Sequence, residues 1–71
     1  MEKLVTPVTI IHNSGILLQL LYKMKETNFS ELQLVSGLDD PNFYMAVGYL
    51  AKETNILFVE GKNGISLRLA E

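Results

Sequence analysis

The residue types that do chemistry are few in this chain, and their spacing keeps them apart. His12 is the only histidine, and there is no cysteine, so a Cys–His pair is impossible. Ser14 lies two positions beyond His12, and side chains two apart diverge on a helix. No orienting partner completes a nucleophile–base set, so His12 reads as a helix-surface histidine. Asp39 and Asp40 are adjacent carboxylates just before Pro41. A catalytic pair must converge on one reacting centre. At a helix start, carboxylates instead cap free N–H groups and suit the helix dipole. One histidine with scattered carboxylates lacks metal-ligand spacing. Gly61 and Gly64 flank Lys62-Asn63, but a phosphate cradle needs a strand, a glycine-rich loop and a helix in succession. The expectation is a chain without catalysis, cofactor or metal.

Recognition is the remaining chemistry, and it depends on the elements that present the residues. Thr6 and Pro7 can start a first helix as N-cap and first helical residue, with Asn13 or Ser14 as a competing start. Ile10, Ser14, Leu17, Leu21 and Met24 share one side of it. Lys23 and Lys25 sit near its C-terminal end, where cations suit the dipole. Thr27-Asn28-Phe29 is a short extended link able to add a small strand. Ser30-Glu31-Leu32-Gln33 has the form of a capping box. It opens a second helix from Glu31 to Ser36, with Leu32 and Val35 inward. Gly37 supplies the turn, and Leu38 plugs it.

Asp39-Asp40-Pro41 starts a third helix, about Asp40 to Glu53. Phe43, Val47 and Leu50 form its inward stripe with Ala51 beside it; Asn42, Met45, Tyr49 and Lys52 fall on another face. Ile56 to Glu60 and Ile65 to Leu69 read as strands joined at Asn63-Gly64. That turn sets Glu60 opposite Leu67 and Phe58 opposite Leu69. Ile56, Phe58, Ile65, Leu67 and Leu69 then share the buried face, and Leu57, Val59, Ser66 and Arg68 point away. Two helices joined by a short turn and followed by a hairpin make a winged helix-turn-helix. The expected class is α+β, three helices and then a β-hairpin wing, as one domain over residues 1–71.

Composition narrows the partners. A chain of 71 residues buries only about 60% of its unfolded surface, which its 48% apolar content offsets. The net charge of −2 gives no global attraction to nucleic acid or to an anionic membrane. The densest apolar stretch, Ile16 to Tyr22, is far shorter than the roughly 20 residues that span a bilayer. Pro7, His12, Asn13 and Ser14 break the N-terminal apolar run, which argues against a signal peptide. Absence of cysteine fits the cytosol, so the expected location is cytoplasmic, where the Asn28-Phe29-Ser30 sequon is inert. Gly15 and Gly48 lie inside helices, where glycine costs about 1 kcal/mol against alanine. Close approach of another backbone or an aromatic ring is the expected reason, and the two could face each other.

Tyr44-Met45-Ala46-Val47-Gly48-Tyr49-Leu50-Ala51-Lys52-Glu53 resembles the signature of small stand-alone winged-helix proteins of unknown function from bacteria and archaea. That signature is Ala-Leu-Gly-Trp-Leu-Ala-Arg-Glu preceded by Tyr-x. Asn13-Ser14-Gly15 is similar to the family's Asn-Ala-Gly in the first helix. The resemblance covers nearly the whole chain. Val47, Tyr49 and Lys52 stand where the signature has Leu, Trp and Arg. Leu57 and Val59 stand where the family tends to place polar or acidic residues. The resemblance implies a winged-helix fold and no established substrate, cofactor or operator.

Two recognition functions compete. A groove-reading helix contacts bases with its N-terminal part, here Asp39-Asp40-Pro41-Asn42. Asn42 can read adenine, but the carboxylates repel phosphates. Lys52 is the third helix's only cation, and the wing adds Lys62 and Arg68 against Glu60. Asn42, Lys52, Lys62 and Arg68 are therefore the candidate nucleic-acid contacts. Against them stands excess apolar surface: Leu57 and Val59 on the hairpin, Ile16 and Leu20 at the edge of the first helix, Met45 and Tyr49 on the third. Contiguous exposed apolar residues mark an interface, unless Leu4, Val5 and Val8 fold over one patch. The leading expectation is a non-catalytic protein-interaction or self-association module in a regulatory role. Its partner would be a second copy or another protein, with no membrane. The alternative is a DNA-binding transcriptional regulator of winged helix-turn-helix type, disfavoured by charge.

Overall fold

The computed structural model describes residues 5–54, 56–62 and 64–70. The first helix, α1 (Pro7–Met24), begins at the earlier of its two candidate starts. The Thr6 hydroxyl accepts from the Thr9 N–H at 3.2 Å, and Pro7 occupies the first turn, where no N–H is needed. Lys25 ends the helix at φ 71, its N–H donating to the Leu21 carbonyl. The chain then enters a three-residue strand, β1 (Glu26–Asn28).

The second helix, α2 (Phe29–Ser36), begins two residues earlier than its capping box predicts. Asn28, not Ser30, is the cap, and its Oδ1 accepts from the Glu31 N–H at 2.8 Å. Asn and Ser are nearly equal caps, so packing decides between them, and the earlier start carries Phe29 against the core. Gln33 does not reach back to Ser30. Its Nε2 donates to the Leu38 carbonyl at 3.2 Å and to Asp40 Oδ1 at 2.7 Å. The inward face now centres on Phe29, Leu32 and Ser36, which leaves Val35 exposed. Gly37 closes α2 at φ 74, a conformation that favours glycine.

The third helix, α3 (Asp40–Glu53), has Asp39 as its cap. Phe43, Val47 and Leu50 are buried as expected. Ala46 joins them, while Ala51 is exposed. The row 43, 46, 47 and 50 is the helical repeat, and Ala51 falls roughly a quarter-turn off its centre.

β2 (Ile56–Gly61) and β3 (Gly64–Leu69) form the hairpin, and β1 adds to its other side in the order β1-β3-β2. The register pairs Phe58 with Leu67, Glu60 with Ile65 and Gly61 with Gly64. Gly64 is therefore paired in the strand, not part of the turn as the expected Asn63-Gly64 pair had it; Asn63 itself lies outside the described residues. Gly64 has φ 101. The pairing moves by two residues, which keeps each side chain on its expected face.

Leu67, opposite Thr27 on one side and Phe58 on the other, is buried in the middle of the sheet. It joins Leu17 and Leu21 of α1, Leu32 of α2 and the α3 stripe in one core. Ile56 and Leu69 pack against that core, half-buried. Phe58 and Ile65 do not achieve the expected burial; Phe58 is 44% exposed. β2 is an edge strand, so Phe58 is covered on one flank only, where its ring meets Phe29 edge-on at 6.2 Å.

Candidate functional site

Asn13 of α1 and Asn42 of α3 meet between the two helices. Asn13 Nδ2 donates to Asn42 Oδ1 at 3.5 Å. At the other end Leu21 shares a cleft with Leu69, which pairs with Ile56, just beyond the end of α3. Ile16 and Leu20 lie three and seven residues after Asn13, and Met45 and Tyr49 lie three and seven after Asn42. Residues at that spacing share a helix face, so each pair lies on the side of its own helix that carries the asparagine. Met45 is exposed, and the other three are half-buried.

The hairpin pair lies elsewhere. Leu57 and Val59 are exposed, opposite Arg68 and Ser66, on the sheet face turned away from Leu67. The six candidate interface residues thus do not form one surface. Of the N-terminal residues that could cover a patch, Val8 is exposed and Val5 half-buried, and Leu4 lies outside the described residues.

The nucleic-acid candidates are dispersed. One Asp39 oxygen accepts from both the backbone N–H and the side-chain Nδ2 of Asn42, at 3.1 and 2.8 Å. With Oδ1 held by Asn13, the Asn42 amide would have to break both bonds to read adenine. Asp40 stands beside it, tied to Gln33. Lys52 is exposed in the last turn of α3, and Lys62 is exposed in the hairpin loop. Arg68 is four residues along β3 from Gly64, about 13 Å away at strand rise. From Pro41 to Ala51 the third helix carries no charged side chain, and its exposed residues there include Tyr44, Met45, Gly48 and Ala51.

Gly15 and Gly48 do not meet. Both are exposed, and a Cβ added at either would touch nothing within 4 Å. Among the described residues no group of three His, Cys, Asp or Glu side chains could hold a metal ion, and no helix is long and apolar enough to cross a membrane. No buried side-chain oxygen or nitrogen among them lacks a partner. Ser14 donates to the Ile11 carbonyl at 2.7 Å and Thr27 to Glu31 Oε1 at 2.9 Å. His12 is exposed on α1.

Two features are set by tertiary packing. Leu34 is among the most exposed apolar residues described, beside an open cleft with Ser30, Gln33, Gly37 and Leu38. Its place off the face that carries Leu32 is the signal the helical period offers for it. Phe29 also gathers Phe43, Tyr44 and Phe58 around its ring at 5.8 to 6.2 Å, a cluster that depends on α2 starting at Phe29.

No curated protein and no solved structure matches the chain. The family model described as a winged helix-turn-helix domain (DUF2582), of unknown function, matches residues 1–69. Helix order, Gly37 turn and hairpin wing agree with that match, and the chain belongs to this winged helix-turn-helix family.

Proposed function

We propose that this domain is a non-catalytic protein-interaction or self-association module in a regulatory, cytoplasmic setting. The outward face of α3 carries the reading. A helix that enters the major groove needs base-reading groups in its first turns and cations on nearby phosphates. Here the first turn is acidic, the Asn42 amide is engaged within the chain, and the next turns offer Tyr44, Met45, Gly48 and Ala51 without charge. Interface cores are enriched in Tyr and Met and depleted of charge. Leu57 and Val59 give the wing a further apolar face.

The exposed cations Lys52, Lys62 and Arg68 favour the second reading, a DNA-binding regulator. Fluorescence anisotropy with mixed-sequence and genomic duplexes at about 150 mM salt, beside sedimentation velocity, separates the two. Self-association without duplex binding supports the module. Sub-micromolar duplex binding that falls on Lys52→Ala, Lys62→Ala or Arg68→Ala establishes the regulator instead.

A further inference from the structure

We propose that the cleft between the end of α1 and the end of β3 binds a small monocarboxylate with an apolar body. The cleft has a volume of about 190 Å³ and is lined by Leu21, Tyr22, Lys25, Arg68 and Leu69. Two of these are cations, one is a tyrosine, and the two leucines belong to the core or pack against it. Ligand sites ordinarily combine apolar walls with a few convergent polar groups. Such a site is independent of whether the domain meets a protein or a duplex.

Lys25 is held at this cleft at a conformational cost. It follows the last turn of α1 with φ 71 and ψ −66, the geometry of a strained γ-turn. It is the one non-glycine residue with positive φ among those described. Glycine would take this position without strain, as Gly37 does at the end of α2. Strained non-glycine backbone clusters at ligand sites, where the strain belongs to the task. Among the described residues no side-chain hydrogen bond or ion pair engages Lys25, Tyr22 or Arg68, so no contact within the domain accounts for the lysine.

Charge names the ligand class. Glu26 is the cross-strand neighbour of Arg68 and follows Lys25 directly, so it offsets one of the two cations. The free carbonyls at the end of α1 lower the local potential further. What remains suits a single negative charge and disfavours a phosphate dianion. A guanidinium fork matches the two oxygens of a carboxylate, and the Tyr22 hydroxyl is a further donor. Leu21 and Leu69 offer contact to an apolar body, while Lys25 and Arg68 are exposed at the rim. An α-amino acid fits less well, because its ammonium would sit beside both cations.

Size limits the ligand. A water takes about 30 Å³ of the liquid, so the cleft holds roughly six non-hydrogen atoms. That is the size of a carboxylate with a chain of about four or five carbons. A nucleotide is too large.

Titration of the isotope-labelled full chain with pentanoate, read by amide chemical shifts, tests the site. Shifts should concentrate at Tyr22, Lys25, Arg68 and Leu69 and saturate with a dissociation constant of about 1 mM or tighter. Pentanamide keeps the shape without the charge and should bind at least about fivefold more weakly, with inorganic phosphate no tighter than pentanamide. Arg68→Gln should weaken pentanoate about fivefold or more. Lys25→Gly should weaken it by as much while raising the melting temperature, because it removes the charge and relieves the backbone. A lysine kept for structure alone would show the reverse, a lower melting temperature with pentanoate binding unchanged, and that result overturns the assignment. So does the absence of saturable shifts up to about 10 mM, or equal binding of pentanamide. Phosphate binding tighter than pentanoate, or equal shifts at Lys52 and Lys62, marks a general cationic surface and overturns it as well.

Discussion

Asp39 holds Asn42 twice: one carboxylate oxygen accepts from its backbone N–H at 3.1 Å and from its side-chain Nδ2 at 2.8 Å. The first bond caps α3, and the second turns the Asn42 amide so that its oxygen meets Asn13 of α1. Helix start and helix packing therefore share one carboxylate. Asp39→Ala should cost roughly 0.5–2 kcal/mol, the range for loss of a cap, measured by urea denaturation. A variant as stable as the wild type would show that this carboxylate does not secure the helix start.

Core and wing phenylalanines should differ in cost. Phe43 is fully buried, whereas Phe58 is nearly half exposed on an edge strand. Phe43→Ala should cost roughly 3–5 kcal/mol. Phe58→Ala removes less buried area and should cost roughly 1–2 kcal/mol. Equal losses in chemical denaturation would contradict this edge-strand placement.

Two glycine substitutions should act with opposite sign on the monomer. Gly48→Ala adds a methyl group in open space on a helix and should stabilise by up to about 1 kcal/mol. Gly37→Ala forces a side chain into a left-handed turn at φ 74 and should destabilise by about 1 kcal/mol or more. For a domain of this size, 1 kcal/mol moves the melting temperature by about 4–8 °C, so calorimetry resolves both.

Leu57→Glu/Val59→Glu should leave the fold intact, because both side chains are exposed and surface changes usually stay within about 0.5 kcal/mol. The double variant should still weaken self-association in sedimentation velocity. Unchanged association would place the hairpin face outside the interface.

Local chemistry made much of the fold legible from the residues alone. Thr6-Pro7 and Asp39-Asp40-Pro41 start helices, and Gly37 ends one, through groups no more than four residues apart. Alternation along β3 likewise placed Leu67 in the core. Where two local solutions were nearly equal, distant contacts decided. Asn28 displaced Ser30 as the cap of α2, placing Phe29 against the core, and the hairpin closed at Gly61–Gly64. The candidate surfaces depended still more on tertiary structure. Asn42 was legible as a polar residue opening the third helix, but only the fold brings Asn13, 29 residues away, within 3.5 Å of its oxygen. Gly15 and Gly48 were legible as costly helix residues, but only the packing of α1 on α3 turned them both outward. Capping and alternation act between near neighbours and are written in short sequence windows. Which face of a helix stays uncovered is set by every element packed around it, and only the assembled fold specifies that.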